Sequence, residues 1–196
     1  ATLTQGTNLA VTTTRANRMQ ILALHGAIYQ KHPDRPVTKA LLDASMDAWE
    51  PHVSKDGQKL VFQSFRNGSF DLYEVELGER ELIPEALTLS PLDDREPHYS
   101  PDGDQILFSS DRSASYEIWL LDADSKIAEQ LTKTSGEAHS PAWSNKSRAY
   151  AYILQERHGN RIFIANLETN EHVEVFATRN DIKGLAWVPS DSAMSL

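Results

Sequence analysis

No cysteine occurs among the 196 residues, which excludes disulfides, thiolate metal sites and a cysteine nucleophile. Basic residues are in deficit, 19 Lys and Arg against 28 Asp and Glu for a net charge of −9, and they form no cluster. Binding to a phosphate backbone needs a basic face, so no direct nucleic-acid contact is expected. No apolar run approaches the roughly 20 residues of a membrane-spanning helix. The opening stretch "ATLTQGTNLAVTTTRANRMQ" lacks the charged-then-apolar layout of a signal peptide. There is no G-x-S-x-G elbow, no EF-hand spacing and no motif that positions a Ser-His-Asp triad. No catalytic residue, cofactor or metal site is therefore expected.

What is present is repetition. "EPHYSPDGDQILFSSDRSASYEIWLLD" (96–122) holds a turn, an apolar strand, a polar turn and a second apolar strand. Anchored on the turn glycine Gly103, the pattern recurs around Gly57, with Ser147 in the same slot downstream and Gly6 upstream. Asp191 opens a further partial unit, and the intervals are 51, 46, 44 and 44 residues. Each unit reads as four strands. Strand a is "WEPHVS", "REPHYS", "HSPAWS" and "KGLAWV"; strand b is "NLAVTT", "KLVFQS", "QILFSS" and "RAYAYIL". Strand c is "MQILAL", "FDLYEV", "YEIWLL" and "RIFIAN"; strand d is "PVTKALL", "EALTLS", "AEQLTK" and "HVEVFA". Short β-branched and aromatic runs bounded by Gly, Asn, Asp and Ser are strands, not helices. Only "ALLDASMDAW" (40–49) suits a short helix. Four strands every 40 to 45 residues or so is the signature of a β-propeller. The fold expected is all-β, four-stranded antiparallel blades in one domain over residues 1–196.

The recurrent residues read first as scaffold. In "SPDG" proline pre-sets φ, aspartate bonds its own backbone and glycine takes positive φ. Val53, Tyr99, Trp143 and Trp187 share a slot of strand a and are expected to plug the space between blades. Arg15, Arg66, Arg112 and Arg157 open the b–c turns and are expected to bond a carbonyl or carboxylate of the adjacent blade. The paired acids Asp93 and Asp94, and Asp122 and Asp124, are expected to be solvated in turns.

These residues resemble the WD40-like repeat of the TolB type, the PD40 repeat. Pro97, Ser100, Pro101, Asp102, Gly103, Phe108, Ser110, Arg112, Ile118, Trp119, Leu131 and Thr132 occupy its slots. Lys55 departs from it where proline is expected, as do Asn145, Lys146 and Ser147, and the first unit keeps only Gly6, its apolar strands and Arg15. The resemblance implies a TolB-like propeller outside the cytoplasm, in the periplasm, that binds a protein partner or small ligand on its loop face or channel. It implies two settings besides TolB itself: the sensory domain of a membrane-anchored winged-helix transcription regulator, or the substrate-gating propeller of a prolyl-oligopeptidase-type peptidase. Four units fit a closed four-bladed ring, with "KGLAWV" completing the first blade, or half of a larger propeller, in which case two copies would pair as a homodimer.

One constellation stands apart. "EPH" occurs twice in strand a, as Glu50-Pro51-His52 and Glu96-Pro97-His98, with His139 near the matching place in the next unit. Strict alternation would set Glu and His on one face. Glu50, His52, Glu96, His98 and His139 are therefore the candidate ligand-binding residues at the channel mouth, suited to a cation or to a basic group of a partner. The ordinary alternative is that the motif merely belongs to the repeat.

Overall fold

A computed structural model describes residues 9–13, 20–24, 26–31, 38–145 and 148–187. It holds four antiparallel sheets of four strands, each a simple meander. The first is β1 (Leu9–Thr13), β2 (Gln20–Leu24), β3 (Ala27–Lys31) and β4 (Thr38–Leu42). The second is β5 (Ala48–Val53), β6 (Lys59–Ser64), β7 (Asp71–Glu76) and β8 (Glu85–Ala86). The third is β9 (Asp94–Tyr99), β10 (Gln105–Ser110), β11 (Glu117–Asp122) and β12 (Ala128–Gln130). The fourth is β13 (Glu137–Trp143), β14 (Ala149–Glu156), β15 (Gly159–Asn166) and β16 (His172–Thr178). The first strands β1, β5, β9 and β13 adjoin in that order, so the sheets are successive propeller blades, radiating from their inner strands.

The core lies between blades rather than within one. Ile21, Ala23 and Ile28 of the first blade meet Leu60, Phe62 and Tyr73 of the second. Val61, Leu72 and Leu87 meet Tyr99, Ile106 and Phe108 of the third. Leu107, Ile118 and Leu120 meet Trp143, Tyr150 and Tyr152 of the fourth. The plug slot is as expected for three of its four residues: Val53, Tyr99 and Trp143 are buried, whereas Trp187 is half-buried and lies outside any strand. Burying each such side chain contributes about 1.5–3 kcal/mol.

The turns follow their chemistry. Gly103 sits at φ 90° with its N–H on Ser100 O (3.0 Å), while Ser100 Oγ donates to Asp102 Oδ1 and accepts from Gln105 N–H. The turn at Ser54–Gly57 repeats these bonds with Lys55 in place of proline. Proline therefore favours this turn but does not make it.

Three expectations are corrected. The first blade is out of phase with its sequence assignment: β3, missed in the sequence, follows the Gly26 turn (φ 77°). Leu9–Thr13 is thus the inner strand a rather than b, and Gln20–Leu24 is b rather than c. The blade has four strands of its own without "KGLAWV". Gly6, Arg15 and Asp191 lie outside the described residues. Secondly, the helix of residues 40–49 shrinks to one 3-10 turn, Ala44–Met46, capped by Asp43, whose Oδ1 accepts from Ser45 N–H. Thirdly, the repeated arginines do not share one role. Arg112 clasps Asp94 of its own blade, through Nη2 at 2.7 and 2.6 Å from its two oxygens, and Asp94 is buried, not solvated. Arg66 and Arg157 are exposed.

The fourth blade presents its far face to solvent. Ile162 and Phe176 pair across β15 and β16 in the places of Leu72 and Leu87, which the next blade buries. Here Phe176 is 53 % exposed. From the segment that follows, Trp187 donates its indole N–H to Ala142 O at 2.9 Å.

Candidate functional site

The "EPH" motif makes a β-bulge. Trp49 pairs with Gln63 and His52 with Val61, so Glu50 and Pro51 together oppose the single residue Phe62. Glu96 and Pro97 do the same between Arg95 and His98, and Ser140 and Pro141 between His139 and Ala142. Proline suits the place because it has no N–H to contribute to a ladder. The preceding residue takes a left-handed conformation, with φ 46° at Glu50, 55° at Glu96 and 52° at Ser140. For non-glycine residues this costs about 1–3 kcal/mol each and persists only where neighbours enforce it.

For Glu96 and Ser140 the neighbour doing so is the preceding blade. Ser140 N–H donates to Glu96 Oε2 at 2.6 Å, and Ser140 Oγ donates to Glu96 Oε1 at 3.0 Å. Ser109 Oγ also donates to Glu96 Oε2 at 3.0 Å. One joint earlier, Gln63 stands where Ser109 stands. Its Oε1 accepts the Glu96 N–H directly at 2.7 Å. Gln63 thus does alone what Ser109 and Glu96 do together. Glu50, the counterpart of Glu96, is relieved of that duty: among the described residues it has no hydrogen-bond or ion-pair partner. Its residue surface is exposed, but partial desolvation of the carboxyl, with the nearby Glu96 charge second, raises its pKa.

The histidines have a different place. His52 and His98 stack at 3.8 Å between ring centroids, tilted by 31°. Tyr99 N–H donates to His52 Nδ1 at 3.2 Å, so His52 carries its proton on Nε2. His98 Nδ1 lies 3.1 Å from Tyr99 O, a pure acceptor, so His98 carries its proton on Nδ1. Burial and the His98 ring hold His52 well below the ordinary histidine pKa. Burial lowers His98 to about 4. Both rings are therefore neutral at pH 7.

Four of the five candidate residues thus fall into two pairs: His52 stacks on His98, and Glu50 feels the charge of Glu96. Alternation does not put Glu and His together, because the bulge breaks it. His139 is not the counterpart of the other histidines. It aligns with Trp49 and Arg95, and its Nδ1 lies 3.1 Å from Ser140 Oγ; Ala142 takes the histidine slot. The sequence reasoning missed Gln63 and Ser140, whose signal is positional: each fills a repeat slot with a different residue from its neighbour. Among the described residues no three His, Asp or Glu side chains are grouped to hold a metal ion. Nor is any helix among them long and apolar enough to cross a membrane.

No family model matches the sequence, and no curated protein matches it significantly. Solved structures do. TolB from Acinetobacter baumannii is 20% identical, with a TM-score of 0.75 over 86% of this chain and 43% of that one. Oligogalacturonate lyase from Vibrio parahaemolyticus is 17% identical, with a TM-score of 0.66 over 89% and 55%. A puromycin-hydrolysing peptidase from Mycobacterium tuberculosis is 12% identical, with a TM-score of 0.67 over 86% and 31%. The chain spans less than half the length of that TolB. The likeness establishes a TolB-like propeller fold, shared by proteins of differing activity.

Proposed function

We propose that this chain is a non-enzymatic binding module that receives a protein partner at the channel mouth, with Glu50 accepting a basic group of that partner. One observation carries the reading: of two glutamates in matching backbone positions, the fold uses one and, among the described residues, gives the side chain of the other no partner. A crowded carboxylate with no counter-ion gains most from a cationic group, which supplies the charge its surroundings lack. The inner strands add no competing cation, because Arg95, the one Lys or Arg they carry, is held by Asp93 at 2.5 Å. The likeness to TolB supports a periplasmic setting, either as a TolB-like envelope protein or as the sensory domain of a membrane-anchored regulator. A second reading, a propeller that gates a peptidase, is supported by the likeness to the puromycin-hydrolysing enzyme.

A fluorescent peptide library, read by anisotropy against wild type and Glu50→Gln, tests the proposal. The selected peptides should be basic and should lose at least about tenfold in affinity for the variant, the worth of one charge-assisted contact. Equal affinity for both proteins would remove Glu50. Turnover of peptide or ester substrates above blank would overturn the non-enzymatic assignment.

A further inference from the structure

We propose that the Tyr99 backbone, its N–H held by His52 and its carbonyl by His98, is an acid-released latch between the second and third blades. The inference is independent of any partner at Glu50. Tyr99 closes β9, and its ring is the plug buried against the second blade. Its N–H crosses to His52 of that blade, and its carbonyl accepts a hydrogen bond from His98 Nδ1–H.

The latch works in one protonation state only. His52 already carries a proton on Nε2, so an added proton must go to Nδ1, the atom that accepts from Tyr99 N–H. The protonated ring has two donors and no acceptor. Two N–H groups then face each other, and the bond between blades is lost. Protonating His98 at Nε2 leaves its own bond intact but sets a positive charge 3.8 Å from the His52 ring.

Among the described residues no neighbour offsets that charge by direct contact. From β9, His52 faces His98 and Tyr99, with Glu96 two residues earlier. On β9, Asp94 is committed to Arg112 and Arg95 to Asp93. From its own strand comes Glu50. On β6, Lys59 is committed to Glu74 and Glu76. The strands β1 and β2 carry no titratable side chain, and β3 carries Tyr29 and Lys31. Among the described residues no carboxylate bonds either imidazole, so the lowered pKa values of the pair have a geometric basis.

Opening the latch frees His52 to titrate near its ordinary pKa of about 6.5, so acidification to pH 5 favours the open state by up to about thirtyfold. The test is amide hydrogen exchange followed by NMR at pH 7.5 and pH 5, with the protection of Tyr99 expressed relative to Leu107. That ratio should fall at least tenfold on acidification in wild type. It should not fall in His52→Gln, whose amide oxygen accepts at either pH. An unchanged wild-type ratio, or an equal fall in the variant, would overturn the proposal. Should His52→Gln not fold, the wild-type imidazole nitrogen shifts decide: a proton on Nδ1 of His52 at pH 7.5 overturns it, and one on Nε2 supports it.

Discussion

Replacing Arg112 by methionine isolates a buried charge. Asp94 has no solvent exposure of its side chain, and its counter-ion is Arg112, held also to Ser110 Oγ at 3.0 Å. The guanidinium lies 4.9 Å from the Trp119 ring centroid and 5.3 Å from that of Phe108. Methionine preserves the stem that covers those rings but leaves the carboxylate unpaired. Breaking a buried pair costs about 3–5 kcal/mol. Arg112 is itself a quarter exposed, which places the effect near 3 kcal/mol. For a chain of this size that is a fall of about 6–12 °C in Tm. Urea unfolding followed by circular dichroism measures it, and the matched control is Arg66→Met. Arg66 occupies the same place in the preceding hairpin but is exposed, so its loss should stay within about 0.5 kcal/mol of wild type. The double variant Asp94→Asn/Arg112→Met should recover more than half of the loss, since no charge is then left buried. Equal effects of Arg112→Met and Arg66→Met would refute the reasoning.

Other outcomes follow from the same structure. His98 has a folded pKa of about 4 against about 6.5 unfolded; its contribution is complete above pH 6.5 and is lost as pH falls toward 4. Stability should therefore drop by about 2 kcal/mol from this group alone between pH 7.5 and 5, an effect absent in His98→Gln. Glu96→Gln should cost about 1–3 kcal/mol by weakening three charge-assisted bonds, whereas Glu50→Gln should be neutral or slightly stabilising; paired urea titrations compare them. Gly159→Ala should destabilise by about 2 kcal/mol or more, because a Cβ there would lie 2.4 Å from Thr178 O at a φ of 145°. A thermal melt detects it.

The period, the turn glycines and the plug residues were legible because each is fixed by local chemistry. A Pro-Asp-Gly turn or a lone aromatic in strand a means the same wherever the unit sits. The first blade misled for the same reason. The span between β1 and β2 lacks that turn signature, and Gly6 offered a false anchor one strand too early. "EPH" was visible as a repeated motif, but its bulge was not, since alternation was assumed to run through the proline. Nothing within one unit shows that Gln63 releases Glu50, because the bond it makes belongs to the next blade. The tautomer of His52 was hidden likewise, since it is set by the Tyr99 N–H of the next blade, whereas that of His98 is set by the carbonyl of its own neighbour in the chain.

The donor–acceptor match at the Glu96 and Ser140 bulges has a consequence for rearranging these modules. At both, the acceptor is encoded 33 or 44 positions upstream of the residue it restrains. A module cut out as one blade, ahead of its inner strand, therefore leaves its acceptor behind and brings along the one meant for the blade that follows. Transplanting the third module into the second's position would set Ser109 and Glu96 before a bulge that had relied on Gln63. Engineered rings assembled from this chain should be cut through matched junctions, with donor and acceptor travelling together.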